Sequence, residues 1–170
     1  MHAKIMKLLD ILDEEAACYR DMKSVLSDEE ASISLARKER FDRVQLEKES
    51  LLVKIQQYEK MRVSLVDQLA DAYQVDEPIV TVSKLARYLS APYYEKLLFR
   101  ANRLRSRIVE VQLKNKHNQQ LIRQYLELIK GALKLLNRLI YDNSVYQKPG
   151  TRHPAMGYRG SGGRIFCKTV

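Results

Sequence analysis

The 170-residue, 19.8 kDa chain carries 30 Lys and Arg against 21 Asp and Glu, a formal net charge of +9, and is 45% hydrophobic with 6 Gly, 4 Pro and no Trp. Five of the six glycines lie at or beyond Gly150, and Pro149 and Pro154 join them, so residues 1–148 hold one Gly and two Pro. Sheets need frequent turns that draw on Gly and Pro, so this composition argues against an all-β or α/β chain and for long helices in one domain or one extended module. Cys18 and Cys167 make neither a disulfide framework nor a metal cluster. Asp10, Asp13, Glu14 and Glu15 break what would be the apolar core of a signal peptide, and no uncharged apolar run nears the ~18 residues of a membrane helix. The expectation is a soluble, cytoplasmic protein.

The spacing predicts a first helix over about 2–36. Its apolar seam reads Ile5, Leu8, Leu12, Ala16, Tyr19, Met22, Leu26, Ile33 and Ala36, in steps that keep one stripe on one face. Ser27-Asp-Glu-Glu30 fits a capping box that would break the helix, but the seven-residue period from Ile5 to Ile33 runs through it and favours continuity. A turn unmarked by Gly or Pro is expected near Arg37–Arg40. The second helix, about 38–74, has the seam Phe41, Val44, Lys48, Leu51, Ile55, Tyr58, Arg62, Leu65, Leu69 and Ala72. Two cations therefore occupy core-type positions. The simplest reading is that the stems of Lys48 and Arg62 pack while their charges reach water.

Residues 75–90 read as a connector. Asp76-Glu77-Pro78 stops the second helix, Thr81 or Ser83 caps a short helix ending near Leu89, and Ile79, Val80 and Val82 pack across one end of the bundle. A third long helix is predicted over about 91–143, with Pro92 in its first turn. Its seam runs Leu97, Ala101, Leu104, Ile108, Val111, Asn115, Asn118, Ile122, Tyr125, Ile129, Ala132, Leu136 and Leu139. Two amides inside a seam need partners, so Asn115 and Asn118 should bond each other, a side chain of the second helix, or water. After Asp142 the chain holds Lys148, Arg152, Arg159, Arg164 and Lys168 and no acid, and residues 147–170 read as a flexible, disordered basic tail behind a 1–146 helical domain.

These elements predict an all-α fold: an antiparallel three-helix bundle, or coiled coil, with an extended third helix. At 1.5 Å per residue the first two helices are each about 50–55 Å long and the third about 75–80 Å. From about Leu128 the third should project past the turn between the other two. That end is the apolar one: 13 of the 21 residues from Leu121 to Tyr141 are apolar or Tyr, against 6 of 21 from Arg100 to Gln120. Beyond the seam it carries two further rows, Leu121, Leu128 and Leu135 on one side and Leu126, Leu133 and Ile140 on the other. So much apolar surface is rarely left in water by a soluble monomer. The tail, a second copy or another protein should cover it, unless a break near Gly131 tucks the segment into the bundle. The candidate partner-binding residues are Leu121, Tyr125, Leu128, Leu133, Leu135, Leu139 and Ile140.

Chemistry has little to stand on. His2, His117 and His153 are far apart, with no acid or Cys at ligand spacing, so no metal is expected. Glu14-Glu15 and Glu29-Glu30 read as solvated helix faces, and Cys18 as a small packed residue. The glycines form no phosphate loop, so no cofactor and no small-molecule substrate are expected, and the chain reads as a non-enzyme. Arg100, Arg103, Arg105 and Arg107, with Lys114 and Lys116, make the first half of the third helix basic. Pairing with the acid-rich first helix explains them more simply than nucleic acid does.

Taken together, residues 5–146 resemble the FlgN family of flagellar type III export chaperones. The likeness is carried by the heptad around Glu15, Tyr19 and Glu30, by Lys48-x-x-Leu51-Leu52 and Arg62-x-x-Leu65, and by the Thr81–Leu85 connector. Asn115-x-x-Asn118-x-x-Leu121-Ile122, the most specific piece, and the apolar stretch ending in Tyr141 and Tyr146 complete it. The resemblance implies a cytoplasmic, non-catalytic protein-transport chaperone that binds hook–filament junction proteins through the C-terminal part of its last helix. It would keep them from assembling early and deliver them to the export apparatus. Two features depart from the pattern: the chain is basic where such chaperones are usually acidic, and the Gly- and Arg-containing tail has no counterpart. Other classes in view are a self-associating coiled-coil scaffold, which would be a homodimer, and a basic nucleic-acid adaptor.

Overall fold

The computed structural model describes residues 1–77 and 80–142, with the backbone alone described for 140–142. Four helices and no strand occur among the described residues: α1 (His2–Ser34), α2 (Lys38–Ala72), α3 (Val82–Ala86) and α4 (Tyr93–Asp142). The expected all-α architecture is the one found, with each predicted long helix within two residues of its observed bounds. The tail from residue 143 on, together with Cys167, lies outside the described residues, as do Pro78 and Ile79.

The chain divides into two units, Met1–Leu128 and Ile129–Val170. In the first, side-chain contacts fix the directions of the helices. Arg62 meets Glu15 and Lys48 meets Glu29, so α2 runs antiparallel to α1. His2 meets Tyr93, Arg100 meets Asp13, and Tyr125 Oη donates to the Ser34 carbonyl, so α4 runs alongside α1 in the same sense. The core follows the seams: Ile5, Leu8, Leu12, Leu65, Leu69, Leu97 and Leu104 are buried together. A second cluster of Cys18, Met22, Leu26 and Ile55 continues it along the rods. Of the residues expected to close one end, Val82 is buried in the core and Val80 packs against it; Leu85, Ala86 and Leu89 join them, and Thr81 Oγ1 caps α3 by accepting from Lys84 N at 3.3 Å.

α1 passes unbroken through the Ser27 capping-box sequence, where Ser27 Oγ donates back to the Lys23 carbonyl at 3.1 Å. Both long-helix ends are made without Gly or Pro. Ala36 takes φ 50, its N–H donates to Ile33 O, and Arg37 N donates to Ser32 O, each at 3.0 Å. Gln74 takes φ 53, its N–H donates to Asp71 O, and Val75 N donates to Ala70 O. These are Schellman turns, in which a left-handed residue lets the chain close over the last helical carbonyls. They correct three boundary readings: Ala36 is exposed and ends the turn instead of extending the seam, Ala72 is exposed, and α2 stops before Asp76-Glu77-Pro78 instead of at it. Pro92 likewise lies just before α4, not within its first turn.

Candidate partner-binding face

Two buried polar layers set the register of the first unit. Glu15 is 1% exposed and Glu29 2%, so the reading of both as solvated faces is corrected. Arg62 holds Glu15 in a two-pronged bond, Nε to Oε2 at 2.7 Å and Nη2 to Oε1 at 3.4 Å. Glu29, on α1, collects donors from both other long helices: Gln45 Nε2 at 2.7 Å and Lys48 Nζ at 3.0 Å from α2, and Asn118 Nδ2 at 2.7 Å from α4. Lys48 also donates to Asn115 Oδ1 at 3.2 Å, and Asn118 to the Leu26 carbonyl at 2.7 Å. The seam cations thus turn inward to buried carboxylates instead of reaching for water. Of the two seam amides, Asn115 finds the second-helix partner expected of it, whereas Asn118 bonds α1.

The layers repeat at the same spacing on both helices, because Glu15 and Glu29, like Lys48 and Arg62, are two heptads apart. Their carboxylates titrate in opposite directions. Burial raises the Glu15 pKa, and the Arg62 hydrogen bond and charge only partly offset it. Burial also pushes Glu29 up, but the donors Asn118, Gln45 and Lys48, with the Lys48 charge, outweigh it and hold Glu29 below its ordinary value.

The basic first half of α4 is largely matched. Arg100 donates to Asp13 at 2.8 Å, and Arg103 pairs with the same carboxylate. Lys114 pairs with Glu30, which also meets His117 Nε2 at 3.0 Å, and Glu110 pairs with Lys23 and Arg107. Exposed pairs of this kind add little stability.

α4 is continuous through Gly131, so the break considered there does not occur. In the first unit its seam is buried or half-buried from Leu97 to Tyr125. Leu121 and Tyr125 are half-buried, while Leu126 and Leu128 are exposed. In the second unit every described side chain from Ile129 to Leu139 is exposed, with Leu133 at 58%, Leu135 at 62% and Leu139 at 65%. The Ile140 side chain lies outside the described residues. Ile129 and Leu136, counted as seam, are exposed too and extend the candidate face.

At about 100° per residue, Ile129, Ala132, Leu133, Leu135, Leu136 and Leu139 cover an arc of about 160°. A surface helix packing one stripe against its core needs about 100°. The arrangement leaves a wide apolar surface exposed among the described residues. Among the described residues, no group of three or more His, Cys, Asp and Glu is placed to hold a metal ion, and no helix is long and apolar enough to cross a membrane. The model of the FlgN protein family matches residues 1–154. Neither the curated proteins nor the solved structures yield a match.

Proposed function

From the premise that the chain belongs to the FlgN family, a non-enzymatic family of flagellar export chaperones, we propose that it is a cytoplasmic chaperone for hook–filament junction proteins. It holds them by the exposed apolar residues of α4 and hands them to the flagellar type III export apparatus. The observation that carries this reading is the run of exposed Leu and Ile on one continuous helix. A client's amphipathic helix would lie against those residues, as helices dock into apolar grooves elsewhere. Roughly 500 Å² of apolar contact is worth about 12 kcal/mol before association and ordering costs. If ~4 kcal/mol goes to those costs, the remainder corresponds to about micromolar affinity.

The test is a pull-down of candidate secreted junction proteins with the wild-type chain and with the double variant Leu133→Asp/Leu139→Asp. The variant should lose the client while keeping the helical signal and melting temperature of the wild type. A variant that unfolds would make these residues core, and a variant that still captures the client would place docking elsewhere.

A further inference from the structure

We propose that a cleft among α2, α3 and α4 binds a carboxylate carried beside an apolar group. That chemistry belongs to the free C-terminal residue of a polypeptide ending in leucine or isoleucine, or to a small branched monocarboxylic acid. The cleft lies wholly in the first unit and uses none of the exposed Leu and Ile near the end of α4, so the proposal is independent of the client-docking reading. Four arginines fall between Arg100 and Arg107, and three of them meet acids: Arg100 and Arg103 pair with Asp13, and Arg107 with Glu110. Arg105 is exposed and has no acidic partner among the described residues. It lines a cleft of about 220 Å³ with Arg62 of α2, Ser83 of α3, and Ala101, Leu104 and Ile108 of α4.

Among the described residues no acidic side chain lines this cleft. Arg62 directs Nε and Nη2 to the buried Glu15 carboxylate, which answers its charge, while its Nη1 makes no hydrogen bond among the described residues. The Ser83 hydroxyl has no partner there either. The cleft therefore offers one unanswered positive charge, spare N–H and O–H donors, and an apolar wall. A single charge suits a monoanion. A phosphate carries more than one negative charge at neutral pH, and would bring the excess beside the Glu15 and Glu59 carboxylates that Arg62 already faces. The planar fork of Arg105 matches the two oxygens of a carboxylate. The volume is below the roughly 300–1,000 Å³ of pockets that take a whole drug-sized ligand, so it suits one chain end or one small acid. An Asp or Glu side chain would bring the charge without a branched apolar group beside it, and would leave Ala101 and Ile108 uncovered. A C-terminal Leu or Ile sets its carboxylate and its apolar side chain on the same Cα, which satisfies both walls at once.

The experiment follows the backbone amide and arginine side-chain NMR signals of the isotope-labelled full chain as ligands are added to millimolar concentration. The ligands are a short peptide ending in leucine with a free carboxylate, the same peptide as its C-terminal amide, isocaproate, and inorganic phosphate. The free-acid peptide should shift the signals of Ser83 and Arg105, and the amide should bind about tenfold more weakly or worse, as loss of a charge-assisted hydrogen bond implies. Arg105→Gln should weaken the free acid by a similar factor, and Arg105→Lys, which keeps the charge but not the fork, by less. Arg105 is exposed, so both variants should melt like the wild type. The comparison of acid with amide needs no variant and stands by itself. Free-acid peptide binding more tightly than isocaproate supports the proposal with a chain end as the ligand; isocaproate binding as tightly supports it with a small acid. Equal binding of acid and amide, tighter binding of phosphate, shifts that leave Ser83 and Arg105 unmoved, or affinity unchanged in Arg105→Gln would each overturn it, as would the absence of any shift.

Discussion

α4 holds two stretches in which apolar content and burial run in opposite directions. Residues 100–120 are poor in apolar side chains, yet Leu104 and Asn118 are buried and the rest of that seam is at least half covered. Residues 126–139 are Leu- and Ile-rich, and every one of them is exposed. Burial is decided by the presence of a neighbour, not by the appetite of a side chain for one. The earlier stretch has α1 and α2 beside it, and among the described residues the last hydrogen bond between α1 and α4 joins Tyr125 to the Ser34 carbonyl at the end of α1. The two stretches also differ in how they specify a partner. The buried one uses paired charges and amides, which tolerate a single register, whereas the exposed one uses broad apolar rows, which suit a partner arriving from outside.

The comparison can be broken most sharply at the polar layer. Lys48→Met leaves Glu29 buried with two of its three side-chain donors, and should cost about 3 kcal/mol, at the low end for stranding a buried charge. Chemical denaturation would measure it, and a loss below ~1 kcal/mol would mean that the layer is not holding the helices in register. Next comes a matched pair of truncations on the one helix. Leu104→Ala, at a side chain 5% exposed, should cost about 2–4 kcal/mol, and Leu133→Ala should stay within about 0.5 kcal/mol. Similar losses at both sites would show that the later stretch is packed against something in the free protein.

The smallest effect is a pH dependence that separates the two buried carboxylates. Glu29 is held below its ordinary pKa, so its contribution is present above that value and is lost as pH falls toward the depressed one. Glu15 is shifted upward, so its contribution is complete at low pH and is lost as pH rises through the raised value. Melting temperatures followed from neutral pH into the carboxylate range should therefore fall less in Glu29→Gln than in the wild type, and more in Glu15→Gln. The same slope in all three proteins would mean that neither layer is coupled to protonation.

Much of this molecule was readable from its residues. Helix identity follows from unbroken three–four spacing, and scarcity of Gly and Pro before residue 148 leaves few places to turn. That α4 is longer than α1 and α2 was also legible, because its three–four spacing runs over more residues and rise per residue is nearly constant in a helix. Even the buried acids left a trace: strict alternation from Ile5 passes through Glu15 and Glu29, two heptads apart, just as Lys48 and Arg62 are. What residue order could not decide was which way those charges face. A cation at a seam position reaches water or turns inward according to whether the helix opposite offers a carboxylate at the same height, and that depends on antiparallel register. The helix ends were hidden for a related reason: Ala36 and Gln74 adopt a left-handed conformation that neither residue favours by itself, so only the packed structure shows where the rods stop.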